Sequence, residues 1–230
     1  MVAKCGEVRV WHWAHRGRRH CDLWWENETE WHRDWKGQFP VEWQEIVHHA
    51  EDGERHIADV KTGDDWVIEF QHSYIKPEER RSREAFYQKL IWVVDGLRRK
   101  NDVPGFQGAL EQGTQIVANF PALKLQSKKG ALLRDWAGSR AHVFFDFGDK
   151  HTLWWLSPNA GDTLAYVIRI SRTEFISAHL RMGTNGAQDF ASLAEGLIGL
   201  VSDYESYCRA QASKGIQPPQ RRLGRNRRRL

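Results

Sequence analysis

Apolar and polar residues alternate with a period of two in residues 55–61 and again in residues 66–71, which predicts two β-strands. The stretch between them, Thr62-Gly63-Asp64-Asp65, is typical of a turn, because glycine reaches positive φ at low cost and aspartate bonds its own backbone. The two strands are therefore expected to form a hairpin. Opposing residues of a hairpin share a face, so Asp59 and Glu69 are expected to be neighbours.

The chain on either side of this hairpin has the pattern of helices and of a buried strand. Residues 27–35 follow the helical period and end before Pro40, and a second helix is expected to begin at Pro77. Residues 90–94 form a continuous apolar run, as expected of a central strand covered by helices on both faces. The segment 96–106 is polar and rich in turn residues, which predicts a loop or partial linker.

The remaining patterns predict strands and one long helix. Strands are expected in residues 8–15, 141–147, 151–156 and 165–170. Residues 189–211 have the period of an amphipathic helix, and Asp189 is placed to cap it. Asp146, Asp149 and His151 come together at a predicted hairpin, where we interpret them as an ordinary solvated turn.

Composition narrows the class of protein. A chain of 230 residues that is 40% hydrophobic and 28% charged can fold as one large globular domain or as a domain with an extension. No apolar run reaches the roughly 20 residues of a membrane span, and the charged start lacks a signal-peptide core. We therefore expect a cytoplasmic protein that does not bind membranes. Three widely spaced cysteines indicate free thiols, since they give no disulfide framework and no Cys-x-x-Cys zinc site.

The positive charge is concentrated at one end of the chain. The formal net charge is +4, and six of the last ten residues are arginine, so the rest of the chain is slightly acidic. Residues 216–230 are expected to be a disordered tail that binds phosphate backbones without sequence preference. Arg227, Arg228 and Arg229 are its strongest candidates for nucleic-acid contact. The alternative is a tail that serves only solubility.

The two carboxylates of the hairpin are the first candidates for chemistry. Carboxylates placed together repel each other unless a cation, a proton or a basic side chain compensates for them. A hard divalent cation with open water positions is one such partner. The alternative, which the spacing alone favours, is a solvated hairpin edge in which Lys61 pairs with Glu69.

The order of the motifs around this hairpin resembles that of a known nuclease family. The run Glu69-Phe70-Gln71-His72-Ser73-Tyr74-Ile75 is followed by Arg83 and Tyr87, four residues apart, and by the apolar strand 90–94. This assembled order is similar to that of the competence protein CoiA-like nucleases, which belong to the PD-(D/E)XK nuclease superfamily. The resemblance covers roughly residues 12 to 96, and the assembled order is more specific than any single motif.

The resemblance implies a fold as well as an activity. The expected fold class is α/β, with a restriction-endonuclease-like mixed sheet flanked by helices in residues 1–105. Residues 106–215 are expected to form an α+β extension packed on this core, as a substrate-shaping or oligomerisation surface. A homo-oligomer is compatible with this organisation.

The resemblance also implies which residues act. Asp59 matches the Asp motif, and Glu69 and Gln71 match the (D/E)-x-K motif, with glutamine in the place of lysine. These three are the implied catalytic residues, and Asp59, Glu69 and Glu28 are the implied ligands of Mg²⁺ or Mn²⁺. Glutamine can position a water molecule through its amide, but it cannot carry a positive charge or act as a base.

Further residues are expected to support the site. Glu28 begins a Glu-x-x-x-His-x-x-x-Lys pattern that the family shares; the alternative is an amphipathic helix whose polar stripe forms ordinary i,i+4 pairs. The supporting residues are His32, Lys36, His56 and Ser73. The predicted helix from Pro77 carries Arg80, Arg83 and Tyr87 on one stripe, which is expected to bind phosphate, although a solvated face would also explain it.

Three functions are compatible with these features. The first is a Mg²⁺- or Mn²⁺-dependent nuclease that hydrolyses phosphodiester bonds in DNA, for DNA processing, transformation, recombination or defence. The second is a weakly active or inactive nuclease-fold protein that binds DNA. The third is a zinc-stabilised module, suggested by His12, His15, His20 and Cys21. Their spacing matches no standard zinc finger, so zinc is not expected.

Overall fold

A computed structural model describes residues 2–6, 9–14, 28–49, 55–158, 163–180 and 189–216. The first two of these segments are the strands β1 (Val2–Gly6) and β2 (Arg9–Ala14), which pair with each other antiparallel. β2 confirms the strand predicted from residues 8–15.

In the described part of the chain, nine further strands form one mixed sheet flanked by helices. The strands are β3 (Gln44–His49), β4 (Arg55–Lys61), β5 (Val67–Gln71), β6 (Leu90–Asp95), β7 (Thr114–Gln115), β8 (Ala122–Gln126), β9 (His142–Asp146), β10 (Thr152–Leu156) and β11 (Leu164–Ser171). The helices are α1 (Glu30–Lys36), α2 (Pro77–Phe86), α3 (Asp102–Glu111), α4 (Ala131–Trp136), α5 (Arg172–Leu180) and α6 (Phe190–Ser213). The fold is therefore α/β, as predicted.

The sheet has parallel strands at its centre and antiparallel strands towards both edges. Its order is β3-β4-β5-β6-β9-β10-β11-β8-β7, in which β5, β6 and β9 run parallel and all other neighbours are antiparallel. Helix α2 makes the crossover from β5 to β6, and every residue of β6 is buried, as predicted for the central strand. Pairing of β6 with β9 joins the two halves of the chain in a single sheet.

Apolar side chains fill both faces of the sheet. On one face, α3 and α4 contribute buried residues such as Phe106 and Trp136. On the other face, Trp35 of α1, Phe175 of α5 and Phe190 of α6 form a second cluster. Each face is thus closed by helices, which explains why the central strands consist largely of apolar residues.

Helix α6 confirms the predicted amphipathic helix and its cap. Phe190, Leu193, Leu197 and Val201 are buried along one side, and the Asp189 side chain accepts a hydrogen bond from the backbone N–H of Ser192 at 2.9 Å. None of the helices in the described ranges is long and apolar enough to cross a membrane.

The loop predicted for residues 96–106 is wrong in its second half, because α3 begins at Asp102. Pro104 lies in the first turn of this helix, where a backbone N–H would have no helical acceptor and its loss is tolerated. Phe106 and Ala109 are buried against the sheet. Burial of these side chains stabilises a helix that the local composition did not indicate.

The solvated turn predicted around Asp146 is also corrected. His151 is exposed, but Asp146 is only 1% exposed. Its Oδ2 accepts hydrogen bonds from the indole N–H groups of Trp35 at 2.8 Å and Trp31 at 3.1 Å, and pairs with Arg172 at 3.3 Å. Asp146 therefore attaches α1 and α5 to the end of β9.

Candidate active site

The predicted hairpin is present, with Asp59 in β4 and Glu69 in β5. The β4–β5 ladder pairs Lys61 with Val67 and Val60 with Ile68, and Asp59 and Glu69 are the next residues along the two strands. Asp59 Oδ2 then accepts the backbone N–H of Phe70 at 2.8 Å. We call these two carboxylates, together with the residues that bond or pair with them, the carboxylate site.

Asp59 is a carboxylate held largely away from water. Burial raises the pKa of its carboxyl group, while the Phe70 N–H and the positive charge of Lys36 oppose this shift. The net direction is upward, which means that the surrounding groups do not fully compensate for the charge. A cation brought to Asp59 would therefore lower the free energy of its ionised form.

Helix α1 places His32 next to the backbone carbonyl of Phe70, the residue between Glu69 and Gln71. Thr29 caps the helix and donates its backbone N–H to His32 Nδ1 at 3.2 Å. Because Nδ1 accepts there, we assign the ring proton to Nε2, which donates to the Phe70 carbonyl oxygen at 2.7 Å. Both ring nitrogens of His32 are thus engaged in hydrogen bonds. The spacing of Thr29 and the helix start could have revealed this cap from sequence.

Lys36 lies one turn further along α1 and connects this helix to β3. Its ammonium group pairs with Glu28 and, at 3.0 Å, with Glu45. Burial lowers the pKa of Lys36, but hydrogen bonds to the two carboxylates outweigh burial, and its pKa is raised. Glu28, predicted to share a polar stripe with His32 and Lys36, is therefore bound to Lys36 by an ion pair.

Glu69 is held by Arg83 of α2. Arg83 Nη1 donates to Glu69 Oε2 at 2.9 Å, and Nη2 donates to Glu79 at 2.6 Å. Both Glu69 and Arg83 are buried. The alternative of a solvated edge with a Lys61–Glu69 pair is wrong, because Lys61 pairs with Asp65 at 3.1 Å.

The arginine stripe of α2 is internal. Arg80, Arg83 and Tyr87 are all buried. The Arg80 guanidinium lies 5.6 Å from the centre of the Trp136 ring, and that of Arg83 lies 5.7 Å from the centre of the Trp92 ring. The interpretation of this stripe as a solvated face is therefore wrong, and these side chains do not form an exposed phosphate-binding surface.

The other predicted residues are placed at different points. Gln71 is buried and donates its amide to the carbonyl oxygen of Ser73 at 3.2 Å, and Ser73 itself is exposed. Arg98 donates to the same carbonyl at 2.5 Å. His56 lies in the first half of β4 and packs against the ring of Phe86 at 4.6 Å.

Some predicted residues lie outside what the structure describes. These are Arg227, Arg228 and Arg229 of the tail and His15, His20 and Cys21 of the suggested zinc cluster. For His12 only its position in β2 is described.

One pair near the site was missed by the sequence reasoning. His72 follows β5 directly, Asp95 ends β6, and His72 Nδ1 lies 2.7 Å from Asp95 Oδ2. The two residues are 23 positions apart in sequence, and only the parallel pairing of β5 with β6 brings them together. The available signal was that both follow or end apolar strands, whose carboxyl ends often carry functional groups.

Negative side chains outnumber permanent cations at and around the carboxylate site. The permanent cations near Asp59 and Glu69 are Lys36 and Arg83, which also pair with the further carboxylates Glu28, Glu45 and Glu79. Within the described ranges, no three His, Cys, Asp or Glu side chains are grouped to hold a metal ion. Mg²⁺ is often held by one or two carboxylates and several waters, so Asp59 and Glu69 are donors of the chemical type that it takes.

Comparisons of the chain with protein-family models, with curated proteins and with solved structures gave no match.

Proposed function

We propose that this protein is a Mg²⁺- or Mn²⁺-dependent nuclease that hydrolyses phosphodiester bonds in DNA, with a PD-(D/E)XK-type core. The observation that carries the proposal is that Asp59 and Glu69 adjoin the Val60–Ile68 pair on two adjacent strands, where Asp59 accepts the backbone N–H of Phe70. The order of elements around them supports it. Helix α1, the hairpin β4–β5, helix α2 and strand β6 follow one another in the order of the motifs that resemble the nuclease family.

The electrostatics of the site support the same proposal. Lys36 pairs with two carboxylates, Arg83 pairs with two others, and the pKa of Asp59 is raised by burial. A divalent cation would reduce this excess of negative charge and favour ionised Asp59. Asp59 and Glu69 would hold it, and Glu28 is the candidate third ligand if Lys36 releases it.

The remaining residues of the site have separate tasks in this proposal. A bound Mg²⁺ or Mn²⁺ supplies a water of lowered pKa and offsets negative charge on the scissile phosphate. Gln71 can orient a water through its amide, and Arg83 fixes the position of Glu69. Contact with the DNA backbone is assigned to the arginines of the tail, because Arg80 and Arg83 are internal.

A second function is favoured by one specific observation. Arg83 already neutralises Glu69 in the interior, and Gln71 stands where the family pattern has lysine. Both features would weaken metal binding and catalysis. A nuclease-fold protein that binds DNA with little or no cleavage is therefore the alternative.

Titration of Mg²⁺ and Mn²⁺ against labelled single- and double-stranded DNA separates the two functions. We expect metal-dependent cleavage that falls by about 100-fold or more in Asp59→Asn and Glu69→Gln, because each variant removes one anionic metal ligand. Glu78→Gln is the matched control, since Glu78 is exposed on α2. Cleavage that survives both substitutions would refute the assigned site. Binding without cleavage at any metal concentration would establish the alternative function.

A further inference from the structure

His72 and Asp95 form a fixed pair at the carboxyl ends of two parallel strands. The hydrogen bond between His72 Nδ1 and Asp95 Oδ2 is 2.7 Å long. The other oxygen of Asp95 accepts the backbone N–H of Leu97 at 2.7 Å, which fixes the carboxylate in turn. The Asp95 side chain is 7% exposed and that of His72 is 38% exposed. The carboxylate is thus internal, and the imidazole reaches the surface.

This geometry determines which nitrogen of His72 can react. A carboxylate accepts hydrogen bonds, so Nδ1 carries the proton and Nε2 carries the lone pair. No described residue forms a hydrogen bond with His72 Nε2. An aspartate that holds the opposite nitrogen keeps this tautomer in place and stabilises the imidazolium that forms when Nε2 takes a proton.

The pair lies beside the carboxylate site. The ring centres of His72 and His32 are 6.1 Å apart. His32 Nε2 lies 2.7 Å from the carbonyl oxygen of Phe70, whose N–H donates to Asp59 at 2.8 Å. This chain of contacts connects His72 to Asp59 through His32 and the backbone of Phe70.

Apart from its carboxylates, the residues described at the carboxylate site include no side chain suited to accept a proton from water. Gln71 cannot accept a proton from water at ordinary pH, and Lys36 and Arg83 are positively charged and paired with carboxylates. His32 uses Nδ1 to accept from Thr29 and Nε2 to donate to Phe70. Among the described residues next to the site, His72 is the imidazole with a lone pair left over.

We propose that His72, oriented by Asp95, is the general base of the nuclease reaction, a role that Gln71 cannot fill. This inference rests on the proposed function. His72 Nε2 takes a proton from the attacking water, and the water oxygen forms a bond to phosphorus. The bond from phosphorus to one sugar oxygen breaks, and that oxygen takes a proton from solvent. Asp95 stabilises the His72 imidazolium until it returns its proton to solvent.

Two further charged or titratable groups lie near the His72–Asp95 pair and can affect how the protonation of His72 depends on pH. His32 faces His72 from α1. Arg98 lies near Asp95 and donates to the carbonyl oxygen of Ser73 at 2.5 Å. Neither group bonds Nε2 of His72, so a change in the pH profile on substitution of His72 can be assigned to that residue.

The test uses the full chain with Mn²⁺ and a labelled DNA substrate. We expect His72→Gln to lower kcat by about 100-fold and to remove the limb of the pH–rate profile that rises with pH, in line with general-base catalysis. Added imidazole should restore part of the activity of His72→Ala. Asp95→Asn should lower kcat as well and should abolish the downfield Nδ1–H proton signal of His72 in NMR spectra. His151→Gln, which changes an exposed histidine, is the matched control.

The outcomes separate the inference from the proposed function. Binding of Mn²⁺, measured by electron paramagnetic resonance, should be unchanged in His72→Gln. Wild-type rates and an unchanged pH profile in His72→Gln would overturn the role of His72 and leave the nuclease proposal standing. A loss of activity that is accompanied by loss of Mn²⁺ binding and is not rescued by imidazole would make His72 a structural residue. Absence of cleavage by the wild-type protein would overturn both proposals.

Discussion

The two carboxylates of the site are compensated in different ways, and this difference affects their chemistry. Glu69 faces a guanidinium at 2.9 Å in the interior, so its charge is largely balanced within the protein. Asp59 has a backbone N–H as its direct partner, and the pKa of its carboxyl group is raised by burial. A cation entering the site therefore gains more from Asp59 than from Glu69, and Asp59→Asn should weaken Mn²⁺ binding more than Glu69→Gln.

His179 makes stability depend on pH. It is packed among aromatic rings, stacked 4.4 Å from Phe190, and neither of its ring nitrogens has a hydrogen-bond partner among the described residues. Burial lowers its pKa to about 3. In the unfolded chain histidine titrates near 6.5, so below that pH the unfolded state binds a proton that the folded state does not. The contribution of neutral, buried His179 to the free energy of unfolding is fully present above about pH 6.5, and it is lost as the pH falls towards 3.

We expect the free energy of unfolding to fall by about 2 kcal/mol between pH 7 and pH 5 on account of His179 alone. His179→Leu should remove this part of the fall, because leucine fills the same apolar site without binding a proton. Urea unfolding at the two pH values measures the effect. His49→Leu, which changes an exposed histidine of β3, should leave the pH dependence as it is. An equal fall in His179→Leu and wild type would contradict the assignment.

At the scale of elements, helix α1 depends on one carboxylate from a distant strand. α1 has only seven residues, too few to be stable in isolation. Asp146 of β9 binds the indole groups of Trp31 and Trp35, and Arg172 of α5 joins the same oxygen. The Arg172 guanidinium also lies 3.8 Å from the centre of the Trp35 ring. This contact holds His32 and Lys36 over the carboxylate site.

Asp146→Ala is therefore expected to destabilise the protein by about 3–5 kcal/mol, since it leaves the Arg172 charge and two indole N–H groups without their acceptor. Urea unfolding measures the loss, and tryptophan fluorescence reports the displacement of α1. Asp34→Ala, which removes an exposed carboxylate of α1 itself, should change the free energy of unfolding by less than about 0.5 kcal/mol. Similar losses in the two variants would show that Asp146 does not anchor the helix.

Elements with a strong local pattern could be predicted from sequence, and contacts between distant elements could not. The β4–β5 hairpin, the buried strand β6 and the capped helix α6 each carry their period and their boundary residues within one short segment. The bonds of Asp146 to Trp31 and Trp35 span more than 100 residues and depend on which strands are neighbours. No local pattern contains that information.

The burial of the α2 arginines could not be predicted from sequence, because it also depends on contacts between elements. Its arginines look like a solvated stripe, because arginine is usually exposed. In the fold, Trp92 of β6 and Trp136 of α4 lie beneath them, and each guanidinium rests over an indole ring. Trp136 is 56 positions from Arg80, and Trp92, although close in sequence, lies in the next strand of the sheet. Burial of the stripe therefore follows from sheet order and helix packing.

Over the whole chain, the positive charge is concentrated in the segment after Ile216. The chain carries a formal net charge of +4, and the segment after Ile216 contains six arginines and no acidic residue. Without that segment the net charge is −2. An acidic body repels DNA at long range, so the arginine segment should supply most of the electrostatic attraction for the phosphate backbone.

Substitution of all six arginines after Ile216 by glutamine should therefore weaken DNA binding and reduce its salt dependence. The slope of log K against log salt should become shallower by up to about 5 for double-stranded DNA, because each phosphate contact releases roughly one counterion. Fluorescence anisotropy with labelled DNA between 50 and 300 mM KCl measures both quantities, with a six-lysine variant of equal length as the control for charge. The lysine variant should keep most of the slope. If the glutamine variant binds with the wild-type slope, the phosphate contacts are made by residues before Gln217. A basic surface among those residues would then be the DNA-binding surface.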